Sequence, residues 1–92
     1  MNNAGRRDWA ENIAIQALTF LAGDPERLGR FLSVTGLGPE TIRMAAESSG
    51  FHKAVLDYLA ADEQLLVAFA ANNDLAPETV AEAIRTFETP LG

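Results

Sequence analysis

Thr35-Gly36-Leu37-Gly38-Pro39 is the stretch of this chain whose residue types and spacing could do chemistry. Two glycines around an apolar residue let the backbone come close to a ligand at the start of a helix. The free N–H groups there point outward and the helix dipole favours negative charge, so the chemistry would be capture of a phosphate. Arg27, Arg30 and Arg43 are near in sequence and could add cationic side chains. The same glycines also have a plainer duty. Gly36 suits a left-handed helix stop, and Gly38 suits an N-cap before Pro39 at the first helical position.

Gly-apolar-Gly between two short helices resembles the helix-hairpin-helix element of DNA-binding proteins. That resemblance implies a nucleic-acid accessory role for residues 35–39. The charge of the chain opposes it. Residues 1–46 are neutral overall, whereas residues 47–92 carry the whole formal net charge of −6. Phosphate attraction is the main term in nucleic-acid binding, so the second half is a poor partner for it.

Other candidate groups are sparse. His52 is the single histidine, with no nucleophile signature beside it, and is expected at the surface or at a helix end. A general base needs a partner and a pocket. No cysteine and no second histidine stands at ligand spacing, so no metal site is expected. Asp62, Glu63, Glu78 and Glu82 follow no alternating oxygen-ligand pattern and read as caps and solvated faces. Neither catalytic residues nor a cofactor are expected. Trp9 and Phe87, near the two chain ends, are candidates for an exposed patch that meets a partner.

The elements that must position these groups are helices, and the chain writes them twice. Leu18–Ala45 and Leu56–Ala83 align without a gap at a shift of 38, with 11 identities in 28 positions. Leucine and alanine would match by chance, but Asp24/Asp62, Phe31/Phe69 and the run Pro-Glu-Thr at 39–41 and 77–79 would not. The pattern predicts an internal duplication of a three-helix unit. Unit one covers about 8–47 and unit two about 50–88, after a frayed segment 1–7.

Within unit one, Asp8 and Glu11 form a capping box. Ile13, Ala17, Phe20 and Leu21 then recur at helical spacing up to Gly23. Asp24-Pro25 starts a second helix with Leu28, Phe31 and Leu32 inward. Leu37 and Ile42 would staple the entry to a third. In unit two, Phe51, Val55, Tyr58 and Leu59 mark one helix, and Asp62 caps the next. Asn72-Asn73-Asp74 replaces the glycine stop with residues that tolerate left-handed backbone. The last helix should end before Pro90. No stretch alternates with period two, so the expected fold is all-α, about six helices of ~8–15 residues packed as one globule.

A chain of 92 residues with 48% hydrophobic residues makes one domain with a real core. The absence of cysteine fits a reducing cytosol. The start Met-Asn-Asn-Ala-Gly-Arg-Arg has no apolar run behind it of signal-peptide kind, and nothing resembles a membrane span.

Taken in order, Ala17-Leu18, Phe20-Leu21-Ala22, Phe31-Leu32, Gly36-Leu37-Gly38-Pro39, Leu56-Asp57-Tyr58-Leu59, Asp62-Glu63, Leu65-Leu66 and Leu75-Ala76-Pro77-Glu78 form a recognisable set. Over about Trp9 to Phe87 the chain resembles a family of short bacterial proteins catalogued only as a domain of unknown function. The resemblance implies a stand-alone all-helical protein, and it carries no activity, cofactor or site residue with it. The expectation for function is a small non-enzymatic interaction or regulatory module that binds a protein partner or a second copy of itself. The alternative is the nucleic-acid reading of residues 35–39.

Overall fold

The computed structural model describes residues 3–38 and 49–88. They form α1 (Asn3–Ala22), α2 (Pro25–Thr35), α3 (Ser49–Ala60), α4 (Glu63–Asn72) and α5 (Pro77–Glu88), with no strand among the described residues. The all-helical expectation holds. The helix expected over 39–47, with Arg43 and the Ile42 half of the staple, lies outside the described residues.

The start of α1 corrects the expectation of a frayed segment capped at Asp8. The helix begins at Asn3 and takes Asp8 and Glu11 into its interior. Two cationic side chains anchor the extra turns. The Arg6 guanidinium lies 5.8 Å from the centre of the Trp9 ring one turn ahead. Arg7 lies 5.7 Å over Phe87 at the other end of the chain. Such contacts contribute about 0.5–1 kcal/mol each at exposed sites, comparable to the roughly 1 kcal/mol that Gly5 costs in the first turn.

Helix α1 packs against α2, α3 and α5, and α3 in turn packs against α4 and α5. The close approach follows from residue size. Ala10, Ala14 and Ala17 form a stripe with almost no exposed surface, so neighbouring helices come near the α1 backbone. Leu21, Phe31, Val55, Leu56, Leu59, Phe69 and Val80 fill the centre and are fully buried. Burial of each large side chain stabilises the fold by about 1.5–3 kcal/mol.

The helix starts obey the sequence. Asp24 has extended backbone and accepts from the Glu26 N–H at 3.0 Å, with Pro25 next. Asp62 does the same for α4, accepting from the Leu65 N–H at 3.2 Å. The stops also correspond. Gly36 is left-handed, and its N–H donates to the Leu32 carbonyl at 2.9 Å. Asp74 is left-handed as well, followed by a Leu75 N–H bonded to the Ala70 carbonyl at 2.8 Å. That last bond is the six-to-one closure of a Schellman stop. Lys53 ties α3 to α5, reaching Asp57 at 2.8 Å and Glu88 at 3.4 Å. The hydrogen bond that Lys53 donates to the Asp57 carboxylate raises the lysine's pKa.

Candidate interaction surface

The turn singled out for phosphate binding is assembled differently from its sequence reading. The Gly36 N–H is spent on the α2 stop. A Cβ at Gly38 would meet nothing within 4 Å, so packing against the described residues does not require a glycine there. Arg27 belongs to the opposite end of α2, whose 11 residues span roughly 16 Å. Its guanidinium stacks over the Phe20 ring at 4.7 Å and lies 3.7 Å from the Asp24 carboxylate. Arg30 shares a cleft with Arg27, Tyr58, Asp62 and Gln64. Two of the candidate arginines therefore line one cleft, together with carboxylates. Arg43 lies outside the described residues.

Trp9 and Phe87 are half-buried at the margin of the core. Arg6 and Arg7 lie over their rings, so the aromatic faces at the two chain ends are already engaged.

His52 departs furthest from expectation. It is 5% exposed, not on the surface. Its ring stacks on Phe87 at 6.0 Å and an interplanar angle of 29°, and Phe51 lies 6.3 Å away. Neither ring nitrogen has a hydrogen-bond partner. The signal was present, because His52 stands at helical spacing from Val55, Leu56 and Leu59, all fully buried. Residue type outweighed position in the sequence reading.

A groove lies elsewhere among the described residues. About 560 Å³ in volume, it runs between the last two turns of α1, the start of α2 and the end of α4. Ile15, Gln16, Thr19 and Phe20 form one wall, and Asn72 and Asn73 the other. Ile15 is half exposed although it is apolar, because it falls off the stripe through Ile13, Ala14 and Ala17. Arg27 and Asp24 separate this groove from a polar cleft of about 340 Å³ that also contains Arg30 and Tyr58. The sequence reading missed Ile15. Its one signal was an isoleucine out of phase with the buried face.

Three helix ends meet at the groove, the C-termini of α1 and α4 and the N-terminus of α2. The chain leaves α1 at Gly23 and α4 at Asn73, and neither helix has a basic residue in its last turn. Carbonyl groups at helix C-termini carry partial negative charge. The combination is an apolar seat with hydrogen-bonding amides at its edge and one ion pair, Asp24 with Arg27, and the positive N-terminal end of α2 opposes the C-terminal charge. Among the described residues, no group of three or more His, Asp or Glu could hold a metal ion, and no helix is long and apolar enough to cross a membrane.

Comparison with curated proteins and with solved structures gives no match. Residues 7–90, nearly the whole chain, match the model of a family described as "Protein of unknown function (DUF3572)", and the chain belongs to that family.

Proposed function

We propose that this protein is a small non-enzymatic interaction module that binds another polypeptide through the groove between α1 and α4. The observation that carries the reading is Ile15, half exposed in a groove it shares with Phe20 and the amide side chains of Gln16, Asn72 and Asn73. Apolar centres with polar rims are how protein surfaces bind one another. A reducing cytoplasm suits a chain without cysteine.

The nucleic-acid alternative has less support. Its turn uses the Gly36 amide for capping, and Arg27 and Arg30 gather at a cleft with Asp24, Glu26 and Asp62. We also read the two halves as copies of one helical unit. The Asp24 and Asp62 caps and the left-handed Gly36 and Asp74 support that reading.

A photo-crosslinking residue placed at Gln16 tests the interaction reading, with Glu82 on α5 as the control position. Both sites are exposed. In the native cell, the Gln16 position should give a discrete polypeptide adduct that Glu82 does not. Equal labelling at both positions, or no adduct at Gln16, would refute it.

A further inference from the structure

We infer that the groove takes a short, extended and uncharged segment of another protein, held through its backbone; this rests on the interaction reading above. The lining decides the charge. Its one carboxylate, Asp24, and its one cation, Arg27, stand 3.7 Å apart and cancel. The other acids behind the net charge of −6 stand outside the lining. A charged side chain entering the groove would therefore lose water without gaining a partner. Hydrogen-bonding capacity decides the conformation. Gln16 lines the groove from α1, and Asn72 and Asn73 line it from the end of α4. The Asn73 amide donates to the Phe69 carbonyl at 3.1 Å, and the Thr19 hydroxyl donates to the Ile15 carbonyl at 2.9 Å. Each keeps an oxygen free to accept. The carboxamides of Gln16 and Asn72 can both donate and accept, and neither has a partner among the described residues.

Two walls of that kind match an extended chain, whose N–H and C=O groups point alternately to either side. A helix spends those groups on itself, so its backbone would leave both walls unbonded. Side chains of an extended segment alternate between its two faces, and every second one faces the groove. There Ile15 offers the apolar surface, half of it in solvent. Phe20 adds little, because the Arg27 guanidinium covers its ring at 4.7 Å. A second copy of this chain fits poorly. Its described residues offer helices and no strand, and each of those helices carries charge.

The test uses the purified full chain and four end-capped peptides of about eight residues, roughly 26 Å when extended. The first has a central leucine among serines and threonines. The second is the same peptide with alternate backbone nitrogens methylated. The third and fourth replace two serines by lysine or by glutamate. The first peptide should shift the side-chain amide signals of Gln16 and Asn72 and the backbone amide of Ile15. Methylation removes the donors along one edge and should weaken binding at least about tenfold. Affinity should stay flat between about 50 and about 500 mM salt, since neither side brings net charge. Gln16→Ala with Asn72→Ala, both at exposed positions, should weaken binding about tenfold at an unchanged melting temperature. Should the pair lose stability, Gln16→Ala alone is the second probe and should also weaken binding. Absent shifts with the first peptide, equal binding of the methylated one, tighter binding of either charged one, a steep salt dependence, or indifference to the substitutions would each overturn the proposal. A Gln16 cross-link to a charged or helical partner segment would sink this inference alone, whereas no cross-link at all would sink the interaction reading beneath it.

Discussion

The ring of Phe20 on α1 meets the ring of Phe69 on α4 edge to face, with centroids 5.6 Å apart and planes at 62°. Thirty-eight positions on from Phe20 stands Tyr58, and thirty-eight back from Phe69 stands Phe31. Those two also meet edge to face, at 5.2 Å and 76°. An aromatic on the first helix of each half thus meets the phenylalanine on the second helix of the other half. On the proposed reading of the two halves as copies of one unit, residue i touches j and the counterpart of j touches the counterpart of i, the pattern of a twofold interface. Here a single chain supplies both sides. The polar cleft lies across the same junction, since Asp24 and Asp62, equivalent positions, both line it.

Phe69 and Phe31 should therefore be equally indispensable. Both are fully buried, so Phe69→Ala and Phe31→Ala should each cost about 3–5 kcal/mol. Edge-to-face pairs contribute about 0.5–1.5 kcal/mol beyond burial. A double-mutant cycle on Phe20 and Phe69 should return that coupling, and chemical denaturation measures it. A cost below about 1 kcal/mol at either phenylalanine would contradict its place in the core.

His52 makes the opposite prediction. Two buried ring nitrogens without partners each cost about 1–3 kcal/mol relative to a satisfied group. His52→Phe keeps a planar ring against Phe87 and removes both nitrogens, so it should leave stability unchanged or raise it. His52→Ala opens a cavity and should lower it by about 2 kcal/mol or more. Thermal melts of the two variants at neutral pH should diverge in sign or in size. Equal losses would show that the imidazole nitrogens contribute to the native state.

The parts of the fold legible in the sequence are those where one residue type has one mechanical use. Asp24-Pro25 and Asp62 had to start helices, and they do. Small residues such as the alanines at 10, 14 and 17 suit close approach of an outside helix or of the internal core alike, and their burial decides for the core. The start of α1 was not legible, because Arg7 is held by Phe87 from the far end of the chain. Periodicity over a short window cannot show such a contact. The groove was equally hidden. It arises where α4 closes on the end of α1, and only the tertiary arrangement leaves Ile15 half uncovered.

The two left-handed stops predict a swap experiment. Gly36 has φ 75 and Asp74 has φ 57. Non-glycine residues strain there by roughly 1–2 kcal/mol, less for aspartate and asparagine. Gly36→Ala should lower stability by about 1 kcal/mol, although its Cβ would meet open space. Gly36→Asn should cost less than Gly36→Val, and Asp74→Gly should be neutral or stabilising by up to ~1 kcal/mol. The order Gly, Asn, Ala, Val in melting temperature at position 36 is the check. A valine variant as stable as the parent would mean the stop is remade without left-handed backbone.

Nucleic acid provides the sharpest separation between readings of residues 35–39. Binding through that turn would be carried by phosphate contacts, so affinity would fall steeply with salt. With Arg27, Arg30 and Arg43 all engaged, the log–log slope on duplex DNA would be near −2.7, about −0.9 per contact. Three observations oppose such engagement. Arg27 is held on Phe20 beside Asp24, at the far end of α2 from the turn. The Gly36 amide points at Leu32 and not outward. The whole molecule carries −6, which raises the cost of approach to a polyanion. The expected result is no measurable binding to duplex DNA even at about 50 mM salt. Replacing the three arginines with glutamine should then change nothing in that assay. Micromolar binding with a steep salt slope, abolished by the triple substitution, would reverse the order of the two readings. It would also require Arg27 to leave Phe20, and the loss of that stacking contact would be visible as a shift of the Phe20 ring protons on adding DNA.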